Sequence, residues 1–284
     1  MDNFTRNAMK FCFYSGFNQS LQEKGVKNTA EWAQKNGYSA VEFLQLDADN
    51  WHKGVETLSQ ARDVQKILQN HNLTTACYSI GINLLEGRVA VDWLKKQAEL
   101  AAELQSPYLH HTLIDSLSLP PNAPSFDTVF QPILDAASEV ALYCQHLGIT
   151  CLYEEQGMYF NGVKNFGRFF TEMQKRFQNV GVCGDFGNIL FADEDPYEFF
   201  KTFLPHIKHV HVKDYEKRFV PTDGCLQSKK GTFLKDVPLG KGIVPVRECL
   251  KLLRGINYDG YFSLELVDPI INNPPAMQFL DKEF

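Results

Sequence analysis

Apolar residues along this chain fall into short runs at strand period, alternating with longer stretches at helical spacing. Lys10 to Tyr14 reads as a first strand, followed by the polar loop S-G-F-N-Q. Thr29 to Asn36 reads as a helix that stops at Gly37, a residue suited to a left-handed cap. The phrase N-G-Y-S-A-V-E-F then carries the chain into a second strand, Ala40 to Leu44, and on to a loop holding Trp51 and His52. Further strands are expected at Leu73 to Ile80, Pro107 to Thr112, Ile149 to Glu154, Val180 to Asp185, Ile207 to Val212 and Gly260 to Leu266. Helices are expected at Val55 to Asn70, Ala90 to Leu104, Phe126 to Leu147 (after a Pro-rich loop, Leu119 to Pro124), Val163 to Phe177, Pro196 to Leu204 and Val246 to Leu253. Strands that alternate with helices must run parallel, and eight such units predict a closed (β/α)8 TIM barrel forming a single domain over residues 1–284. An open doubly wound sheet is the alternative, but no G-x-G-x-x-G follows the first strand.

One strand departs from the simple pattern. From Ile207 to Asp214, residues Ile207, His209, His211 and Lys213 share one face, with Lys208, Val210, Val212 and Asp214 on the other. A parallel sheet is covered on both faces, so a polar face here marks either a site or a set of satisfied core groups. Taken alone, His209 reads equally well as a hydrogen-bonded core histidine and His211 as a loop-end residue. The connection from Asp214 to Val244 exceeds usual loop lengths and carries Arg218, Lys229, Lys230, Lys235, Gly240 and Gly242. It is a candidate lid or substrate loop, or equally a solvated excursion.

Composition narrows the function classes. A content of 44 % hydrophobic and 22 % charged residues fits a globular chain with a large core, and a net charge of -6 disfavours a dedicated nucleic-acid surface. The N-terminus lacks an apolar signal core, and no run of about 18 apolar residues offers a membrane span. The seven cysteines are scattered without a C-x-x-C pair, several inside apolar runs, which suits a reducing compartment. A soluble cytoplasmic protein is expected.

Barrel chemistry sits at the C-terminal ends of strands. Those ends hold Glu154, Asp185, His211 and Glu265 on four consecutive barrel strands, all residue types that bind metals. Three unpaired carboxylates so close together would repel, and a divalent cation would relieve the repulsion. A single acid at a strand end is most often exposed or caps the next helix; the set of four is what points to a site.

The phrases G-I-T-C-L-Y-E (Gly148 to Glu154), G-D-F-G-N (Gly184 to Asn188), H-V-H-V-K-D (His209 to Asp214), L-G-K-G (Leu239 to Gly242) and Y-F-S-L-E (Tyr261 to Glu265) resemble the xylose isomerase-like sugar isomerase and epimerase superfamily. Within it, the likeness is closest to ketose 3-epimerases and inosose isomerases. The resemblance implies that Glu154, Asp185, His211 and Glu265 bind one divalent ion. Such a mostly hard donor set favours manganese or magnesium, with cobalt or zinc as alternatives. Glu154 is preferred over Glu155 because it falls six residues after Gly148, and Cys183 reads as a buried core residue rather than a ligand. The implied reaction removes a proton next to the carbonyl of a ketose or related polyol ketone through a metal-stabilised enediolate, with Glu154 and Glu265 as catalytic acid and base.

This chain departs from the family pattern at three positions. Asn188 stands where many members have a substrate-binding histidine, and Lys217, beside Arg218, stands where an arginine is expected. Phe160 replaces a further glutamate. Asn188 and Lys217 are therefore the substrate-binding candidates. His110 or His111 at the end of strand four is a weaker one, as are Tyr14, Phe17 and Trp51 for stacking on a sugar ring. An inosose dehydratase-type lyase is the alternative function, and an endonuclease IV-like hydrolase is disfavoured by the acidic charge. The expected partner is a small sugar or polyol ketone, not nucleic acid or membrane, and homo-oligomerisation is left open.

Overall fold

The computed structural model describes residues 9–46, 53–118 and 122–284. Trp51 and His52, together with residues 119–121 of the Pro-rich loop, lie outside the described residues. The chain runs β1 (Lys10–Phe13), α1 (Phe17–Lys35), β2 (Ala40–Leu46), α2 (Leu58–Asn70), β3 (Thr74–Gly81), α3 (Arg88–Glu103), β4 (Tyr108–His111), α4 (Phe126–His146), β5 (Thr150–Tyr153), α5 (Val163–Arg176), β6 (Val180–Asp185), α6 (Pro196–Phe203), β7 (Ile207–Val212), β8 (Tyr215–Arg218), β9 (Leu226–Gln227), β10 (Phe233–Asp236), α7 (Val246–Gly255), β11 (Tyr261–Leu264) and α8 (Pro269–Glu283). Strands β1, β11, β7, β6, β5, β4, β3 and β2 pair in that order, all parallel, and close into a (β/α)8 TIM barrel.

Local chemistry sets several of these boundaries. Thr57 caps α2 by accepting the Gln60 N–H, while the Gln60 side chain accepts the Thr57 N–H, a reciprocal capping box. Asp195 caps α6 by accepting the Tyr197 N–H (2.9 Å), ahead of Pro196, whose missing N–H costs nothing in the first turn. Inside the barrel the lining changes with height. Cys12, Ala40 and Ala76 pack together near one end, Cys77, Leu152 and Cys183 form a second apolar group, and beyond them the lumen turns polar. All seven cysteines are unpaired and six are buried, as their apolar neighbours in the sequence suggested.

The structure departs from the sequence reading at two helices and adds detail at one connection. Helix α1 begins at Phe17, inside the stretch read as a loop, because Gly25 takes φ 76° and ψ 158° and joins two helical segments across a kink. The eighth helix, α8, was not anticipated: Pro274 and Pro275 break its pattern, and burial of Asn273, Ala276 and Leu280 holds it instead. The long connection after Asp214, read as a candidate lid or a solvated excursion, carries an antiparallel three-stranded sheet in the order β8-β10-β9.

Asp214 ties that excursion to the barrel. Its Oδ1 accepts the N–H groups of Tyr215 (2.9 Å) and Val244 (3.1 Å), and its Oδ2 those of Gly240 (2.9 Å) and Gly242 (2.8 Å). This explains the L-G-K-G phrase. Gly240 sits at φ 78°, and a Cβ on Gly242 would lie 2.2 Å from both Asp214 Oδ1 and the Tyr215 carbonyl oxygen. Asp214→Ala would leave buried N–H groups without an acceptor and should lower stability by about 3 kcal/mol in urea unfolding; a loss under about 0.5 kcal/mol would contradict this brace.

Acid acts on the fold through His111. His111 is buried edge-on against Tyr153, on the helix side of the sheet, with Nδ1 2.9 Å from the Thr112 carbonyl and no partner for Nε2 among the described residues. Burial drives its pKa down to about 4. The unfolded chain therefore binds the proton more readily, so the stabilisation is complete above the ordinary histidine range and is lost as pH falls toward 4. His111→Gln should remove roughly 2–3 kcal/mol of the stability lost between about pH 7 and about pH 4.5. An unchanged pH slope in urea unfolding would contradict it.

Candidate metal centre

Four strand-end residues converge at the C-terminal mouth of the barrel. One ligand atom from each of Glu154, Asp185, His211 and Glu265 lies within 4.8 Å of the others. Strand register accounts for the meeting. Asp185 on β6 and Ser263 on β11 both stand opposite His211 on β7, and the Glu265 N–H reaches the Val212 carbonyl at 3.0 Å, extending the ladder past β11. Glu154 directly follows β5. His211 Nδ1 lies 2.7 Å from Glu154 Oε1 and 3.4 Å from Glu265 Oε2.

The alternation that sets Glu154 inward turns Glu155 to the other face. Glu155 accepts the Asp185 N–H (3.2 Å), and burial, with the nearby Asp185 and Glu154, pushes its carboxyl well up. Cys183 lies beneath, close to Glu154 and His211, with its thiol held neutral by burial. Tyr14 stacks on the His211 ring, with centroids 4.9 Å apart, whereas Phe17 packs against Phe13 and Phe43 in the core. Phe160, where the further glutamate was expected, packs against Phe126 and Phe169.

The cation that enters the cluster is Lys213, which the sequence reading placed on the right face but gave no role. Its Nζ lies 2.9 Å from Glu265 Oε2 and 3.2 Å from both Asp185 Oδ2 and Asn188 Oδ1. Lys217 instead stands exposed on β8, its backbone paired with Leu234, and the neighbouring Arg218 turns to Glu216. Asn188 is buried beside the site, where its N–H and that of Gly187 both donate to Asp185 Oδ1 (2.6 and 2.7 Å). Its side-chain NH2 has no partner among the described residues.

Below this level lies a layer the sequence reading did not assign. Glu42 on β2 is fully buried and accepts from Ser79 and from His211 Nε2 (2.9 Å) at Oε1, and from Ser263 and His209 Nε2 (2.8 Å) at Oε2. His209 is thus a core histidine hydrogen-bonded through Nε2, while its Nδ1 has no partner among the described residues. His110 bonds Ser79 through Nδ1 (2.9 Å) and brings Nε2 to 3.7 Å from Glu154 Oε2. His111, next to it, faces away from the site. The available signal for Glu42 was a lone acid in the otherwise apolar run A-V-E-F, at strand period.

The four-residue set suits a divalent ion. Burial alone would raise the Glu154 carboxyl, but the facing His211 and His110 outweigh it and hold Glu154 below the usual range. At Asp185 burial wins over Lys213 and lifts the group to about 7, and Glu265 is raised for the same reason. Asp185 Oδ2 is buried without a well-formed hydrogen bond. An additional positive charge at this point would satisfy that oxygen and favour the ionised carboxylates. Three carboxylate donors and one imidazole make a mostly hard ligand set.

Comparison with known proteins agrees with this architecture. A curated inosose dehydratase of Bacillus anthracis is 33% identical over 102 residues, which cover 34% of this chain and 33% of that protein. The chain thus matches about a third of the length of that relative. A xylose isomerase-like TIM barrel protein from Mycobacterium smegmatis, solved in complex with magnesium, superposes with a TM-score of 0.73 at 15% identity over 98% of this chain and 96% of its own. D-Psicose 3-epimerase from Clostridium cellulolyticum H10, solved with D-tagatose, gives a TM-score of 0.70 at 15% identity over 97% and 95%. The family model for the xylose isomerase-like TIM barrel matches residues 30–282, and the chain belongs to that family.

Proposed function

We propose that this chain is a divalent-metal-dependent isomerase or epimerase of a ketose or related polyol ketone, acting by proton transfer at the carbon next to the carbonyl. The observation that carries this reading is the convergence of Glu154, Asp185, His211 and Glu265 within 4.8 Å at the barrel mouth. Those four residues would hold the ion, with manganese or magnesium preferred on donor type and magnesium present in the Mycobacterium smegmatis structure. When bound, the ion supplies an electrophile for the charge that develops on the carbonyl oxygen as the neighbouring carbon loses its proton.

The chain's own groups supply the rest. Glu154, kept ionised by two imidazoles, takes the proton from one face of the substrate carbon, and Glu265, the second acid–base group, returns one to the other face. Asn188 offers its unpartnered NH2 to a substrate hydroxyl. Lys213 sits between Asp185 and Glu265, where its ammonium offsets their charge and, through Asn188 Oδ1, turns the Asn188 amide. Tyr14 closes one face of His211 and limits water there.

A second reading, dehydration of an inosose, is favoured by the partial match to inosose dehydratase. It begins with the same proton removal and diverges when a hydroxyl leaves as water. Ketoses and inososes incubated in D2O with manganese-loaded protein separate the two. Deuterium uptake with the molecular formula retained indicates an isomerase or epimerase, and loss of water a lyase. No exchange with any of them would contradict both. Glu154→Gln and Glu265→Gln should each lower kcat by about 10²-fold or more while leaving the thermal transition in place; full activity in both would exclude the proposed proton transfers.

A further inference from the structure

A buried carboxylate with four hydrogen-bond donors lies directly beneath the four proposed ligands. Glu42 is fully buried, yet each of its carboxylate oxygens accepts from one serine hydroxyl and one imidazole. Its oxygens also lie close enough to His110 and His211, and to Cys77 and His209, to suggest a second cation position. Four donors already occupy them, so the carboxylate is satisfied within the protein. What it does must therefore act through its partners.

His211 is the partner that matters. Its two ring nitrogens face different carboxylates: Nε2 is 2.9 Å from Glu42 Oε1, and Nδ1 is 2.7 Å from Glu154 Oε1 and 3.4 Å from Glu265 Oε2. A carboxylate accepting from one nitrogen fixes that nitrogen as the protonated one and leaves the other as the lone-pair donor. The ring plane is fixed as well, by Tyr14 stacked on it at 4.9 Å and His110 edge-on at 5.3 Å. Glu42 is held in turn by Ser79 on β3, Ser263 on β11 and His209 on β7, so strands from separate parts of the barrel share in aiming one imidazole.

We propose that Glu42 is a positioning residue for the metal centre: by binding His211 Nε2–H it presents Nδ1 as the ligand atom toward Glu154, Asp185 and Glu265. This rests on the metal-dependent reading above. Carboxylates that orient a metal-bound histidine in this way are worth about 10- to 100-fold in metal affinity.

Calorimetric titration of manganese alone into chelator-stripped protein tests it. Glu42→Gln should bind manganese about 10- to 100-fold more weakly than the unsubstituted chain. Ser79→Ala, which removes one bond to Glu42 but keeps the carboxylate on His211, should change affinity by less than about threefold. The Ser79→Ala control separates loss of packing in this layer from loss of orientation. Equal affinity in Glu42→Gln and the unsubstituted chain overturns the proposal while leaving the metal site standing; no manganese uptake by the unsubstituted chain overturns the metal reading itself. Nitrogen-15 NMR of the unsubstituted, zinc-loaded protein needs no folded variant. It should show His211 Nδ1 shifted by the metal and Nε2 still protonated, and metal on Nε2 would overturn the assignment.

Discussion

At the mouth of a single barrel, Glu154, Asp185 and Glu265 crowd their carboxyl groups around His211 and Lys213, with Glu42 immediately beneath. Burying one unpaired carboxylate is costly, and burying several in one place is tolerable only with matching positive charge and hydrogen bonds. The protein supplies part of that match. Lys213 bridges two of the acids and His211 bridges Glu42 and Glu154, yet Asp185 and Glu265 remain raised above their ordinary range. That residual imbalance is one that an added cation would offset.

The scaffold makes such a concentration of charge affordable. Apolar groups around Cys12, Ala40 and Ala76, and around Cys77, Leu152 and Cys183, fill the lumen, so the polar layer rests on a packed floor. The closed sheet fixes the height of each strand relative to its neighbours, which puts Asp185 and Ser263 level with His211. Above the mouth, the excursion carrying β8, β9 and β10 is anchored by Asp214, the residue that follows Lys213 and points to the opposite face. One short run, His209 to Asp214, thus contributes a buttress, a proposed ligand, an internal cation and a loop anchor.

Much of this was legible in the sequence, for physical reasons. Strands β6 and β7 match their expected bounds because continuous or alternating apolar residues end at charged ones. The convergence of Glu154, Asp185, His211 and Glu265 followed from their being strand ends in a parallel barrel, where position in the repeat fixes position in space. Glu42 was missed because its importance lies in four partners distant in the chain, none visible in local spacing. Lys213 was passed over for Lys217 because counting from His211 cannot show that the chain turns into a new antiparallel ladder after Asp214. Helix α8 was hidden by its prolines, and the first turns of α1 by a polar run that reads as loop and a glycine kink that follows it. In each case tertiary packing overrode a local signal.

The most direct test of the account is anomalous diffraction at the manganese edge from crystals of this protein grown with the ion. The account predicts one strong peak bonded at about 2.0–2.4 Å to atoms of Glu154, Asp185, His211 and Glu265, with His211 contributing Nδ1. A peak held by a different set of side chains, or no peak at the barrel mouth, would contradict it.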